Sequence, residues 1–433
     1  MTAARGKPQR RPLGPTVIAL AVVSLLTDVS SDMIYPLLPG FLAGTLGVSV
    51  AFIGVIEGAA ESTAALLKLA SGWWSDRLPR RKPLVVAGYA IAALARPLVA
   101  LATSGAQVLA IRMADRVGKG IRSSPRDALI ADSVDARDRG RAYGVHRAAD
   151  NAGAVAGPLI AFALLSVGGL SLRTVFAIAA VPGLIAVVVV VLRVRDEYRA
   201  PHAVPRALVT RHGEADASER AAPPAEIGPV EGVATRTGDE PLAPFAPGFR
   251  VVMGAVLLFT LGNSTDAFLL LRARSIGVSM AQLPLLWAMF NGIKALASTP
   301  GGSLSDRIGR RPVVIAGWLM FALTYVGFAR VTGAWQVWAL FAVYGVTFGL
   351  TEGTEKALVA DLTPSSRRGA AFGWYNLVIG IGALPASVLF GVLWSTAGPT
   401  AAFFTGAALA LVAAVVLHQA PIPGSGAAPA RGG

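Results

Sequence analysis

The stretch Gly72-Trp-Trp-Ser-Asp76-Arg77-Leu-Pro-Arg80-Arg81-Lys82 occurs a second time as Gly302-Ser-Leu-Ser-Asp306-Arg307-Ile-Gly-Arg310-Arg311-Pro312. The two copies share a glycine, an Asp-Arg pair and an Arg-Arg pair at an offset of 230 residues (306 − 76). Each copy lies between two long apolar runs, and a strongly charged turn in that position is typical of a cytoplasmic loop between membrane helices. The repeat therefore predicts two homologous halves, each built from membrane helices.

The composition of the chain excludes an ordinary soluble protein. Of 433 residues, 54% are hydrophobic and only 15% are charged, whereas roughly a quarter of a soluble domain is charged. The net charge of +14 does not indicate a nucleic-acid partner, because the Arg and Lys residues cluster in short turns between apolar runs. The chain has no cysteine, which excludes disulfides and thiol chemistry.

The apolar runs number twelve, and each is long enough for a bilayer, which about 20 residues can span. The basic start and the first apolar run resemble a signal peptide, but no small-residue cleavage site follows Leu26, so we expect a retained helix. The predicted spans are 15–42, 51–74, 84–103, 106–126, 140–166, 173–193, 249–271, 282–303, 312–331, 334–358, 369–394 and 399–418.

These spans form two six-helix bundles, which predicts an all-α membrane protein with two pseudo-symmetric halves and a central cavity between them. Basic turns alternate with neutral ones, so the positive-inside rule predicts that both termini and the segment between the halves are cytoplasmic. That segment mixes both signs of charge without an apolar period, which predicts a flexible linker. The predicted parts are a tail at 1–14, a bundle at 15–193, a linker at 194–248, a bundle at 249–418 and a tail at 419–433.

The chain resembles the major facilitator superfamily of secondary transporters at the repeated loop and at two further motifs. Arg112-x-x-Asp115-Arg-x-Gly118 resembles the fourth-helix motif that the family uses in proton coupling, with Asp and Arg in place of Gln and Gly. Gly153-x-x-x-Gly157-Pro158 resembles the fifth-helix motif typical of the family's antiporters. The resemblance covers both halves and implies a twelve-helix fold that works by alternating access.

The resemblance also implies that the two repeated loops are conformational latches, which hold the cytoplasmic ends of the halves together in the outward-open state. An Asp near a helix terminus with Arg partners suits this role. The alternative is that these residues are stop-transfer charges that only set topology. The implied latch residues are Gly72, Asp76, Arg77, Arg80, Arg81, Gly302, Asp306, Arg307, Arg310 and Arg311.

Ionisable residues inside the spans of the first half predict coupling to protons. Each costs a few kcal/mol at the bilayer centre unless it is paired or faces water. A carboxylate whose burial changes as a cavity opens and closes can load a proton on one side and release it on the other. The alternative is that several of these residues form static buried ion pairs. The coupling candidates are Asp28, Asp32, Glu57, Glu61, Arg112 and Asp115.

Basic residues of the fourth span fall within a stripe of roughly 120°, which favours a cavity or acidic neighbours over lipid. The second half carries fewer charges, so we expect the coupling chemistry in the first half. Aromatic and polar residues of both halves are expected to line the substrate path. The predicted cavity residues are Tyr35, Arg116, Lys119, Arg147, Asp150, Asp266, Asn291, Lys294, Glu352, Glu355, Trp374 and Asn376.

We expect a monomeric secondary transporter of a bacterial-type inner membrane that exports a small organic solute in exchange for protons. The sequence has no phosphate-binding Gly-x-x-x-x-Gly-Lys-Ser/Thr motif and no His or Cys cluster with metal-ligand spacing, so we expect no cofactor and no bound metal. It shows no nucleophile–base pair, so we do not expect an enzyme.

Three alternatives stay open. The basic stripe also suits a symporter that takes up an organic anion or another nutrient. The carboxylates alone would suit a metal-cation exporter. A transport-dead sensor or scaffold could dock partners through its linker, although such a protein gains nothing from costly charges inside the membrane.

Overall fold

The twelve predicted spans are helices in a computed structural model, which describes residues 13–75, 77–135, 138–196, 245–246, 248–364 and 367–421. Within these ranges all regular secondary structure is helical, and this confirms the all-α fold class. Asp76, most of the predicted linker and the greater part of both predicted tails lie outside the described residues.

The first half contains six helical segments, three of which are interrupted. Pro36 and Pro39 break the first segment into two α-helices joined by a 3-10 turn, as their missing N–H groups require. The six segments are α1 (Pro15–Gly44), α2 (Val50–Ser75), α3 (Lys82–Leu101), α4 (Gly105–Asp132), α5 (Arg139–Ser166) and α6 (Leu172–Arg193).

The second half repeats this arrangement. Its last two segments run on as one helical stretch, Arg368–Gln419, which turns at Gly398 with φ 86°. The left-handed region favours glycine, so this residue divides the stretch into α11 (368–397) and α12 (399–419). The preceding segments are α7 (Phe249–Ser275), α8 (Gln282–Ile308), α9 (Arg310–Arg330) and α10 (Ala334–Asp361).

The count of twelve spans follows from these bounds. Among the described residues, nine helical stretches are long and apolar enough to cross a membrane, and the stretch 368–419 counts twice. The other two are α4 and α8, which are more polar. Both continue past their predicted ends, α4 to Asp132 instead of 126 and α8 to Ile308 instead of 303. Charged residues ended the apolar run there without ending the helix.

Close packing of α2 against α11 joins the two halves. A Cβ at Gly54 would lie 2.3 Å from the Ser387 carbonyl oxygen, and a Cβ at Gly58 would lie 2.9 Å from the Leu384 Cα. These contacts lie towards the end of the bundle opposite the basic turns 77–82 and 307–311. We call the end of the bundle with these turns the basic end. At the opposite end, the two halves are in close contact with each other.

The repeated loops bind within their own halves. Arg81 Nη1 lies 2.5 Å from Asp132 Oδ2 at the end of α4, and Arg310 Nε lies 2.5 Å from Asp361 Oδ2 at the end of α10. Arg310 also lies 3.4 Å from Asp306 in its own loop. A latch between the halves therefore stays a prediction, since the contacts described for these loops tie each loop to its own half.

Candidate functional site

A cavity with two connected lobes lies between the halves. The N lobe has a volume of about 450 Å³ and is lined mainly by α1, α2, α4 and α5. The C lobe has a volume of about 540 Å³ and is lined mainly by α7, α10 and α11. The lobes share five lining residues, which are Tyr35, Glu61, Lys119, Asp266 and Lys294.

Most of the predicted site residues line this cavity. The N lobe adds Asp28, Asp32, Arg112, Arg116, Arg147, Asp150 and Asn291 to the shared set. The C lobe adds Glu352, Glu355 and Asn376. Three predicted residues line neither lobe, and they are Glu57, Asp115 and Trp374. Trp374 was predicted in the substrate path, but it lines neither lobe and is 54% exposed.

Glu57 and Asp115 belong to a buried ion network of the first half. Arg112 donates to both carboxylate oxygens of Glu57 at 3.0 and 2.6 Å, and it lies 3.8 Å from Asp115. Arg96 donates to Asp115 at 2.8 Å and to the carbonyl oxygen of Thr27 at 2.9 Å. Two carboxylates and two guanidinium groups balance each other, and all four side chains are buried. This geometry supports the alternative in which these residues form static buried ion pairs, which here hold the four helices α1, α2, α3 and α4 together.

Arg116 and Lys119 of α4 both line the cavity, but only Arg116 has an ion-pair partner. Arg116 Nη2 lies 2.9 Å from Glu61 Oε1, and this carboxylate is nearly half exposed to the cavity. Lys119 lines both lobes, and its ammonium group makes no hydrogen bond or ion pair in the described part of the chain. The basic stripe of α4 thus contributes one paired and one available cation to the cavity wall.

Asp32 contacts the second half of the molecule. Trp287 of α8 donates from Nε1 to Asp32 Oδ1 at 2.9 Å, and Ser31 donates to the other oxygen at 3.3 Å. The Trp287 ring also lies 5.0 Å from the Tyr35 ring between centroids. No Lys, Arg or His of the described chain lies within 4 Å of the Asp32 carboxylate, which has neutral donors instead of a counter-ion.

Asp28 lies one helical turn before Asp32 on the same wall. Its carboxylate accepts no hydrogen bond from any described residue. Asp150 of α5 lines the same lobe, accepts a hydrogen bond from the Ser24 hydroxyl and lies 3.6 Å from His146 Nδ1. A Cβ at Gly153 would lie 2.5 Å from the Leu25 carbonyl oxygen, so the predicted antiporter motif allows α5 to approach this part of α1.

The carboxylates of the second half are held by aromatic side chains. Tyr344 donates to Asp266 at 2.6 Å, next to the point where α7 is interrupted at 263–266. Trp318 of α9 donates from Nε1 to Glu355 Oε1 at 2.8 Å, and Tyr375 of α11 donates to Oε2 at 3.0 Å. Neither Asp266 nor Glu355 has a cation within 4 Å in the described chain.

One ion cluster bridges the halves at the side of the cavity. Glu352 of α10 lies 2.7 Å from Arg147 of α5, 2.8 Å from Lys294 of α8 and 3.1 Å from Lys356. The Arg147 side chain is more than half exposed. This cluster is open to solvent, and opening the halves would break its contact with Arg147.

Arg96 and Trp318 are among the residues of the site that were not predicted from the sequence. Arg96 was a charged residue within an apolar run and was therefore visible, but it was not singled out. Trp318 gave no signal, since a tryptophan in an apolar run is ordinary. Its role depends on Glu355 of another helix, and the sequence does not show that pairing.

A comparison with protein families identifies the chain over nearly its whole length. The model of the Major Facilitator Superfamily matches residues 20–228 and 251–433. An MFS-type transporter of Methanocaldococcus jannaschii is 30% identical over 413 residues, which cover 94% of this chain and 95% of the relative. A class D tetracycline resistance protein of Salmonella ordonez is 26% identical over 428 residues, covering 94% and 98% of the two chains.

Solved structures share the fold at lower identity. A mutant of the nucleoside transporter NupG aligns with a TM-score of 0.71 at 13% identity, covering 93% of this chain and 99% of that one. The human organic anion transporter MFSD10 (TETRAN) aligns with a TM-score of 0.63 at 18% identity, covering 94% and 100%. At such identities the similarity concerns the fold alone.

Proposed function

The chain belongs to the Major Facilitator Superfamily of transporters, and we propose that it exports a small organic solute in exchange for protons. Membership of the family makes it a membrane transporter and supports a role other than that of an enzyme. The proposal adds a coupling ion, a direction and a class of cargo. It combines alternating access of the two halves with a carboxylate at the cavity that takes up the proton.

The hydrogen bond between Trp287 and Asp32 carries this proposal, because it joins the second half to the first at the cavity. A hydrogen bond to a charged acceptor is roughly twice as strong as one between neutral groups. Protonation of Asp32 therefore weakens a contact between the halves. A change of charge becomes a change in the relative stability of two conformations, which is what proton coupling requires.

Asp28 supports the assignment, since it lies on the same wall and accepts no hydrogen bond from the described chain. A carboxylate inside a membrane without a counter-ion is stabilised by a proton, by water or by a ligand. We assign the exchanged proton to Asp28 and Asp32. Glu61 is the next candidate because its pair with Arg116 is open to the cavity. Glu57 and Asp115 are the weakest candidates because they lie in the buried ion network.

The packing of the halves supports a conformation that is open towards the basic end. α2 and α11 are in close contact at the opposite end. Near the basic end, Arg126, Asp127 and Arg147 line the N lobe, and the ion pair of Arg147 with Glu352 still joins the halves beside it. The positive-inside rule makes the basic end cytoplasmic. We propose an inward-facing monomer in a bacterial-type inner membrane, with both termini in the cytoplasm and the repeated loops as latches of the outward-facing state.

The export direction rests on the class D tetracycline resistance protein, whose similarity extends over nearly the whole chain. A membrane transporter can confer resistance by removing a toxic solute from the cell. We propose the same direction of transport for the present chain, but we do not propose the same solute.

A second candidate function is the symport of an organic anion. Lys119 favours it, since this side chain lines both lobes without an ion pair in the described chain and could bind an anionic group. In that case the solute and the proton would cross the membrane in the same direction.

An experiment in vesicles distinguishes the two candidate functions, proton exchange and symport. The purified full chain is placed in liposomes that contain a pH dye and an acidic interior, and a panel of organic solutes is added outside one at a time. Exchange predicts that a transported solute raises the internal pH, because protons leave as the solute enters. A solute that lowers the internal pH would contradict exchange and establish symport. Protein-free liposomes control for passive leakage.

A further inference from the structure

Glu355 occupies an unusual position in the wall of the C lobe. It lies in α10, and its two carboxylate oxygens accept hydrogen bonds from Trp318 of α9 and Tyr375 of α11. Both donors are buried and neutral. They fix the direction of the carboxylate without balancing its charge, and the carboxylate still borders the lobe.

The contrast with Glu352, one turn earlier on the same helix, shows what Glu355 lacks. Glu352 lies within 4 Å of Arg147, Lys294 and Lys356, so its charge is more than balanced. No described cation lies within 4 Å of Glu355. A carboxylate without a counter-ion is costly inside a membrane, and a cationic group in the adjacent lobe would supply the missing charge.

The surroundings of Glu355 also suit an organic cation. Phe259 and Phe348 line the same lobe together with Tyr375, and aromatic faces attract cations. Phe259 stacks on Trp318 with ring centroids 4.7 Å apart. The volume of about 540 Å³ lies within the range of sites for small organic ligands.

We propose that the C lobe is the binding site for a cationic group of the cargo, and that the transported solutes are organic cations whose charge is balanced by Glu355. This inference rests on the proposed function as a transporter of small organic solutes. It adds the charge class of the cargo and the residue that selects it. Lys294, which lines the same lobe, lies 2.8 Å from Glu352 and forms no ion pair with Glu355 in the described part of the chain.

The test measures equilibrium binding of two dyes that share a xanthene ring system, the cation rhodamine 123 and the anion fluorescein. The purified full chain is titrated into each dye without a pH gradient, and fluorescence polarisation reports binding. We expect the wild-type protein to bind rhodamine 123 more tightly than fluorescein. Glu355→Gln keeps the size and polarity of the side chain but removes its charge, so it should weaken rhodamine 123 binding about tenfold or more.

Two further variants separate a binding role from a structural one. Asp361→Asn removes a carboxylate of the same helix that lines neither lobe, and we expect it to leave rhodamine 123 binding within about threefold of wild type. Glu355→Asp keeps the charge, and we expect it to retain more rhodamine 123 affinity than Glu355→Gln. If Glu355→Gln does not fold, the order of the two dyes in wild type and the Glu355→Asp affinity still test the inference.

Three results would overturn the inference. The first is that the wild-type protein does not bind rhodamine 123. The second is that the wild-type protein prefers fluorescein and that Lys119→Gln loses this preference. The third is that Glu355→Gln folds and binds rhodamine 123 as tightly as the wild type. The last two would indicate an anionic cargo and a structural carboxylate, respectively. Because no pH gradient is present, each of these results leaves the proton-exchange experiment and the role of Asp32 unaffected.

Discussion

The two halves of this transporter share a fold but stabilise their membrane-embedded carboxylates in different ways. In the first half, Glu57 and Asp115 are paired with Arg112 and Arg96 in a buried network. In the second half, Asp266 and Glu355 accept hydrogen bonds from tyrosine and tryptophan side chains. A charge that is balanced internally serves the structure, whereas a charge that lacks a counter-ion is available to a proton or a ligand.

Asp32 shows that this division does not follow the boundary between the halves. It belongs to the first half, yet its partners are the neutral donors Trp287 and Ser31. The useful distinction is therefore between carboxylates with a guanidinium partner and carboxylates with neutral partners. The four experiments below test this distinction and the packing that accompanies it.

The largest effect is expected from breaking the buried network. Arg112→Met leaves Glu57 charged and buried without its partner, which should lower the free energy of unfolding by about 3 to 5 kcal/mol. Chemical denaturation in detergent, followed by tryptophan fluorescence, measures this loss. The double variant Arg112→Met with Glu57→Leu should recover most of it, because no buried charge is left unpaired. A single variant as stable as wild type would show that the network is not a structural element.

A smaller loss is expected at the aromatic donors of the second half. Tyr375→Phe removes one hydrogen bond from Glu355 while Trp318 keeps the other, so the free energy of unfolding should fall by about 1.5 to 3 kcal/mol. The same denaturation experiment measures it. In the background of Glu355→Gln the cost of Tyr375→Phe should shrink, since the acceptor is then neutral. An equal cost in both backgrounds would contradict a charged acceptor at this position.

The sequence predicted the frame of the molecule but not this division of partners. The repeat of Asp76-Arg77 at Asp306-Arg307 and the lengths of the apolar runs were sufficient for two six-helix halves. The partner of Arg112 depends on how α2 and α4 are rotated about their axes, and helix packing sets that rotation. Glu57 and Glu61 are four residues apart and therefore share a face of α2. The sequence does not show that Glu57 would be buried against Arg112 while Glu61 would line the cavity.

The prediction that Trp374 lines the substrate path depended on the same helix rotation. An aromatic residue next to Tyr375 was expected at the cavity, but neighbouring residues of a helix differ by about 100° in direction. Tyr375 is buried and donates to Glu355, whereas Trp374 is 54% exposed. Only the packing of α11 against α2 and α7 decides which of the two faces the interior.

The smallest effect on stability is expected from a comparison of two equivalent glycines, one in each half. Gly153 packs α5 against backbone of α1, where a Cβ would lie 2.5 Å from the Leu25 carbonyl oxygen. Its counterpart Gly382, at an offset of 229 residues (382 − 153), faces the Thr260 side chain at 2.9 Å. Side chains yield more readily than backbone, so Gly153→Ala should cost about 1 kcal/mol more than Gly382→Ala. Thermal unfolding of the two variants in detergent compares them, and equal stabilities would contradict the difference in contacts.

The central claim is that Asp28 and Asp32, and no carboxylate of the buried network, carry the exchanged proton, with Asp32 as the member that contacts the second half. The most direct test measures two fluxes of one transported solute in liposomes, for wild type, Asp32→Asn and Glu57→Gln. One flux is driven by an imposed pH gradient, and the other is solute–solute counterflow, which needs no net proton movement. The account predicts that Asp32→Asn loses the pH-driven flux by about tenfold or more and keeps counterflow. For Glu57→Gln, the account predicts that any loss falls on both fluxes equally. A pH-driven flux that survives in Asp32→Asn but is selectively lost in Glu57→Gln would contradict it.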